Sequence, residues 1–186
     1  MNGYVLDACT LLNLYCAWGG IRNLHAYPVG FHLGTAAASE IHHVREYDSK
    51  GCVVDKRMST TDIGRSYPLR LLSPTPVELD LTVHLARWLG DGEAQGLAIA
   101  ASRGLFFCTD DGAVQKLLNK ERLYAQLIST PELLKVWAGN DLTRLASLPT
   151  AVRRVRDLGK FTPNRSSPHL AWWAQQLDEL PEDPQC

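Results

Sequence analysis

Glu93-Ala94-Gln95-Gly96-Leu97-Ala98-Ile99-Ala100-Ala101-Ser102-Arg103-Gly104-Leu105-Phe106-Phe107-Cys108-Thr109-Asp110-Asp111 is the stretch on which the fold turns. Leu97, Ala100 and Ala101 follow Glu93 at i+4, i+7 and i+8, the spacing of one apolar helix face, and predict a helix over 93–103. Leu105 to Cys108 is a short unbroken apolar run, read as a buried strand closed by an acid pair. A helix from Gly112 to about Lys120 and a strand over 125–128 repeat the alternation. Strands separated by helices indicate βα units, whose crossovers build parallel sheets with helices on both faces. Sites in such sheets form beyond the carboxyl ends of strands, where Asp110 and Asp111 fall.

Outward from that stretch, Tyr4-Val5-Leu6 reads as a short buried strand ending at Asp7. A helix from Ala8 to Ala17 follows, with Leu11, Leu12, Leu14 and Tyr15 as its apolar side and Gly19-Gly20 as its stop. Phe31 and Leu33 open a second strand-like piece before a helix from about Thr35 to Glu46. Turn-forming residues then surround short β-prone pieces at Cys52-Val53-Val54 and Leu69 to Leu72, which predicts a hairpin or flap over about 48–75. A helix over 77–89 and a turn at Gly90-Asp91-Gly92 lead back to Glu93. Three helices close the chain, at Pro131 to Ala138, about Pro149 to Leu158, and Pro168 to Leu180. Leu170, Trp173 and Leu177 have core spacing, so the tryptophans of the last helix are assigned to packing rather than base stacking. Residues 181–186 are expected to fray.

The chain has 186 residues, 45% of them hydrophobic and 21% charged, which suits one domain, 1–180, with a full core. A net charge of −1 excludes a surface that grips nucleic acid everywhere, but leaves room for local basic patches. Lys116, Lys120 and Arg122 form one candidate patch and Arg153, Arg154, Arg156 and Lys160 another; a solvated helix face is the plain alternative for each. Five cysteines, an odd number without CxxC spacing, argue for reduced thiols in a cytoplasm, and no thiol is marked out as a nucleophile. The opening residues lack a signal-like core and no 18-residue apolar window occurs, so a soluble protein with no membrane partner is expected.

Asp7, Glu40, Glu93, Asp110 and Asp111 are distant in sequence, yet fall where an α/β fold could gather them. In the predicted 35–46 helix, Glu40 shares a face with Ala36, Ala37 and Val44, the stripe that turns toward the core, and Glu93 shares one with Leu97. A dry carboxylate is costly enough that it protonates, pairs with a cation or binds a metal. Taken singly, Asp7 suits a helix N-cap, and Glu93 and Asp111 suit helix N-termini. Taken together, hard oxygen donors without a matching Cys/His set point to Mg²⁺ or Mn²⁺. His43 would stand at i+3 from Glu40 in a continuous helix, although His42 and His43 are read as surface residues.

Val5-Leu6-Asp7-Ala8-Cys9-Thr10-Leu11-Leu12-Asn13-Leu14 resembles the opening of PIN-domain proteins, with Asn13 as in the branch that runs D-A-S-x-L-I-N-L and Cys9 in place of its Ser. Ala38-Ser39-Glu40-Ile41 resembles the family's helix with the second acid, and Gly92-Glu93-Ala94-Gln95 before Leu97-Ala98-Ile99-Ala100 resembles its G-E-x-E-A-I-A-L-A helix, with Gln95 departing from the second Glu. Phe107-Cys108-Thr109-Asp110-Asp111 is similar to the T-x-D ending of its fourth strand, with Asp111 as the main acid and Asp110 as an accessory. Gly159 and Pro163 match the branch's G-x-x-x-P turn. The resemblance covers about Tyr4 to Leu180, with little from Asp48 to Leu72. It implies an α/β/α sandwich with a mainly parallel sheet and extra C-terminal helices, Mg²⁺- or Mn²⁺-dependent endoribonuclease activity, and the toxin half of a VapC-type toxin–antitoxin pair. The implied partners are an RNA substrate, an antitoxin protein and a second copy of the chain. In that scheme Asp7, Glu93 and Asp111 hold the metal, Asp110 assists, and Glu40 positions a second ion or the attacking water. Asn13 and Thr109 orient them, and Lys116, Lys120, Arg153 and Arg154 hold phosphates. Two rivals share the fold: a catalytically silent or partner-dependent PIN-like binding module, and a PIN-type DNA nuclease. A phosphatase or receiver-like domain fits less well, because Ala8-Cys9 stand where a haloacid-dehalogenase-type phosphatase carries D-x-D.

Overall fold

The structure, a computed structural model, describes residues 3–58 and 69–178. Its elements are β1 (Gly3–Leu6), α1 (Ala8–Trp18), a 3-10 turn (Arg22–Ala26), β2 (Gly30–Gly34), α2 (Thr35–Glu40), β3 (His43–Tyr47), β4 (Val53–Arg57), β5 (Leu69–Leu72), α3 (Pro76–Leu85), α4 (Asp91–Arg103), β6 (Phe106–Cys108), α5 (Gly112–Glu121), β7 (Gln126–Ile128), α6 (Thr130–Ala138), α7 (Leu142–Asp157) and α8 (Leu170–Asp178). Among these residues five strands form one sheet in the order β5-β2-β1-β6-β7, every neighbouring pair parallel.

Side chains alternate across the sheet as the pleat requires. Tyr4, Leu6, Phe31, Leu33 and Cys108 turn to one core, shared with Leu11 and Leu14 of α1, Leu133 and Leu134 of α6, Val152 and Val155 of α7, and Trp173 of α8. Val5 and Phe107 turn to the other, which Leu85 of α3, Leu97 and Ile99 of α4, and Val114 and Leu117 of α5 complete. The fold is α/β, a central parallel sheet between two helical layers. Trp173 is buried with an edge-on ring contact to Phe161, so packing is its role. Among the described residues no helix is long and apolar enough to cross a membrane.

Three expectations change. The helix expected from Thr35 to Glu46 ends at Glu40, because His43 to Tyr47 instead pair antiparallel with Val53 to Arg57. That pairing supplies a backbone ladder and buries Val44 against the core around α1, which outweighs the weak helix preference of a short, β-branched and His-containing segment. The 48–75 segment is not one flap: the hairpin starts earlier, at His43, and β5 is an edge strand of the main sheet, with Leu69 opposite Phe31. Residues 59–68, the end of the last predicted helix and the expected frayed tail lie outside the described residues. The penultimate helix begins at Leu142 rather than near Pro149, started by Asp141, whose side chain accepts from the Thr143 and Arg144 amides. Smaller boundary shifts, such as α3 ending at Leu85, leave the layers unchanged.

Candidate metal-binding cleft

Strand order reverses between β1 and β6, and the chain leaves these two strands toward opposite sides of the sheet. That reversal opens the crevice in which α/β proteins place ligands. Asp7 follows β1, and Thr109, Asp110 and Asp111 follow β6; the Asp7 amide donates to the Cys108 carbonyl at 3.0 Å and fastens the two strand ends together. A cleft of about 440 Å³ opens there, lined by Asp7, Glu40, Glu93, Asp110 and Asp111, with Cys9 and Phe161 also on its walls. Among its described lining residues none is Lys or Arg.

Asp7 is 5% exposed and has two places in the structure. Its carboxylate caps α1 by accepting from the Thr10 amide at 2.5 Å, and it lines the cleft. Burial pushes its carboxyl up; hydrogen bonds from Thr10 and Thr109 oppose that, and Asp111 adds repulsion. Glu93, the third residue of α4, accepts from the Thr109 hydroxyl at 3.3 Å. Its carboxyl is pushed up to about 7, first by burial and then by the charges of Asp7 and Asp111. Asp110 is pushed up to about 6, chiefly by burial, despite three partners: the Thr130 amide at 2.9 Å, the Thr130 hydroxyl at 2.5 Å and the Asn13 amide at 3.3 Å. Asp111 is exposed and caps α5 through the Ala113 amide at 2.7 Å, while its own N–H donates to the Thr109 hydroxyl at 3.1 Å.

Glu40 reaches the cleft by a different route from the one expected. It is an exposed residue at the end of α2, not a carboxylate on a buried helix stripe. The Gly92 amide donates to it at 2.9 Å. A Cβ at position 92 would stand 2.6 and 2.8 Å from its two oxygens and 2.9 Å from the Ala37 Cα, so only glycine permits this approach. With α2 ended at Glu40, the i+3 relation to His43 disappears, and His42 and His43 are exposed.

Asn13 is buried and bridges Asp110 and the Thr130 hydroxyl, both at 3.3 Å. Its Oδ1 lies where a Cβ on residue 159 would stand, 2.7 Å away, which explains glycine at the head of the G-x-x-x-P turn. Gln95 is also a tether: its carbonyl accepts from the Ala36 amide at 2.8 Å and the Thr35 hydroxyl at 3.3 Å, joining α2 to α4 away from the cleft. Lys116 and Lys120 are exposed on α5 beside a smaller groove of about 270 Å³, with Lys120 Nζ 4.4 Å over the Trp88 ring. Arg154 donates to the Cys16 carbonyl at 2.8 Å and lies over Tyr47, and Arg153 is half-buried on α7; none of these four cations lines the cleft.

Thr10, Thr130 and Phe161 were not singled out from the sequence. Thr130 had a signal, since Ser129-Thr130-Pro131-Glu132 is a capping box, closed here by Glu132 Oε2 on the Ser129 amide at 2.8 Å. Phe161 had none, because its position depends on the turn after α7, where its N–H donates to the Val155 carbonyl at 3.3 Å.

Among the described residues no three His, Cys, Asp or Glu side chains stand grouped closely enough to hold an ion as placed, so coordination requires the carboxylates to turn inward. The donor chemistry fits a hard divalent cation: oxygen ligands, no counter-cation among the described lining residues, and like charges that raise one another's proton affinity. Searches of family models, curated proteins and solved structures find no match to this chain.

Proposed function

We propose that the chain is a PIN-like, Mg²⁺- or Mn²⁺-dependent endoribonuclease that hydrolyses RNA phosphodiester bonds. The observation that carries this reading is the meeting of five carboxylates, brought from four separate segments, in one cleft at the strand-order reversal. The motif resemblance and the 440 Å³ opening support it further.

Bound there, a divalent ion supplies Lewis-acid activation of water and neutralises charge that builds on the phosphate. Asp7, Glu93 and Asp111 would hold it, with Asp110 beside them. Thr109 is the hub that aims these ligands, since one hydroxyl donates to Glu93 and accepts from the Asp111 amide. Asn13 and Thr130 fix Asp110 from behind. Glu40, exposed and held by the Gly92 amide, would orient the attacking water. Hydrolysis adds water across the P–O bond, leaving a phosphate on one fragment and a hydroxyl on the other. The VapC-like opening is the basis for a toxin role with an antitoxin partner in the cytoplasm.

A second reading draws on the caps: Asp7 and Asp111 each already serve a helix N-terminus, as they would in a catalytically silent binding module. The test is Mn²⁺-dependent cleavage of a total RNA pool by wild type and Glu93→Gln, with cut ends mapped and single-stranded DNA run in parallel. Cuts made by wild type and lost in the variant support the nuclease. No cuts by wild type select the silent module, and cuts confined to DNA replace the substrate.

A further inference from the structure

A second groove opens out of the acid cleft. Its volume is about 400 Å³, and Asp110, Asp111 and Phe161 line both spaces, so a polymer lying in one continues into the other. The far side of this groove carries Gln115 of α5, Glu132 of α6, and Ser167 and His169 from the segment before α8. Lys135 Nζ stands 3.2 Å from His169 Nδ1. An ammonium only donates, so Nδ1 is the acceptor of that pair and Nε2 is the ring's donor. That Nε2 is 3.7 Å from Glu132 Oε1, too far for the two to satisfy each other. Glu132 Oε2 is committed to the Ser129 amide and hydroxyl, at 2.8 and 2.6 Å. A donor and an acceptor therefore stand side by side in the groove. Phe161 supplies an apolar wall where groove and cleft join, held edge-on by Trp173 with centroids 5.4 Å apart.

We infer that this groove receives one unstacked base of a single-stranded RNA, next to the phosphate in the cleft, stacked against Phe161 and read on its edge by Glu132, His169 and Gln115. The identity of the occupant rests on the nuclease proposal. At about 400 Å³ the space suits a single flat group, being near the lower end of the roughly 300–1,000 Å³ of small-ligand sites. RNA sequence is read chiefly from splayed bases that stack on aromatic rings and hydrogen-bond through their edges. A carboxylate acceptor selects for a base with an exocyclic amino donor, as in its pairing with cytosine N4. Asp110 and Asp111, which also line the groove, disfavour an edge rich in carbonyl oxygens. Uracil also offers an N–H to Glu132, but between two carbonyls that the three carboxylates of the groove repel, so the groove favours amino-bearing bases over uracil.

Glu132→Gln is the decisive variant, because glutamine at that helical position keeps the capping box while removing the charge. The probes are a fluorescent oligo(U) strand and the same strand with one cytosine, adenine or guanine, bound in EDTA so that no cutting intervenes. Wild type is expected to prefer an amino-bearing strand by on the order of tenfold. Glu132→Gln is expected to level that preference, and Gln115→Ala to weaken it. Equal binding of all strands by wild type, no binding at all, or a preference that survives both variants overturns the inference. A Mn²⁺ cleavage map on the same strands separates the two proposals. Preference without cutting keeps the base groove and sinks the nuclease, whereas cutting without preference does the reverse.

Discussion

Glu93→Gln should stabilise the metal-free protein while abolishing its metal-dependent activity, an opposition that a purely structural glutamate would not produce. The carboxyl of Glu93 is raised from 4.5 to about 7. A group raised on folding contributes stability that is full below its unfolded value and lost as pH climbs through its folded one. The apoprotein should therefore weaken between pH 4.5 and 7 as Glu93 ionises beside Asp7 and Asp111. At about 1.4 kcal/mol per pH unit, that rise has a ceiling of about 3.4 kcal/mol. Glu93 is only half-buried, and solvent screening reduces the figure to roughly 1–2 kcal/mol. Glutamine keeps an oxygen to accept from Thr109 and carries no charge. In EDTA at pH 8 the variant should melt about 3–6 °C above wild type, and at pH 5 the difference should nearly vanish. Adding Mn²⁺ should raise the melting temperature of wild type alone. A variant that melts below wild type at pH 8, or an equal difference at both pH values, would refute the picture of crowded, unneutralised carboxylates.

Mn²⁺ affinity should fall as pH drops through 7 and then 6, the values to which Glu93 and Asp110 are pushed, because protons compete for the ligands. Calorimetry in two buffers of different ionisation enthalpy should register proton release, and a pH-independent affinity would count against it. Gly92→Ala should cost roughly 1–3 kcal/mol and displace Glu40, since the new Cβ meets its oxygens and the Ala37 backbone, whereas Gly90→Ala, with nothing within 4 Å, is the matched control. Thermal melts and initial cleavage rates of the two variants should diverge. Arg103→Met should cost roughly 2–3 kcal/mol at pH 7 by stranding Glu78, whose side chain is 3% exposed and whose carboxyl Arg103 holds down at about 2. That stabilisation is present above about 4.5 and lost as pH falls toward 2, so the two proteins should converge in acid melts.

Asp7, Glu93 and the Asp110-Asp111 pair could be placed from sequence because each depends on local pattern: a short apolar run that must be a strand, then a polar residue where it ends, or a helix whose apolar spacing begins at the acid. Glu40 lines the cleft, but not for the reason its helical spacing gives. Helical spacing put it on a core face with Val44, but Val44 reaches the core from a strand, and the competing pairing of His43 to Tyr47 with Val53 to Arg57 is a tertiary effect that no local window registers. β5 was obscure for the same reason, since its partner Phe31 is remote in sequence. Thr109 was legible as a neighbour of the acids, yet its double hydrogen bond was not. Phe161 belongs to a loop and carries no periodic signal.

The contacts of Asn13 with Gly159 and of Phe161 with the cleft set an order of assembly. A ribosome making this chain completes all five carboxylates before it makes the loop that seats Asn13 and walls the opening. The nascent polypeptide thus carries its acids before the wall of their cleft exists.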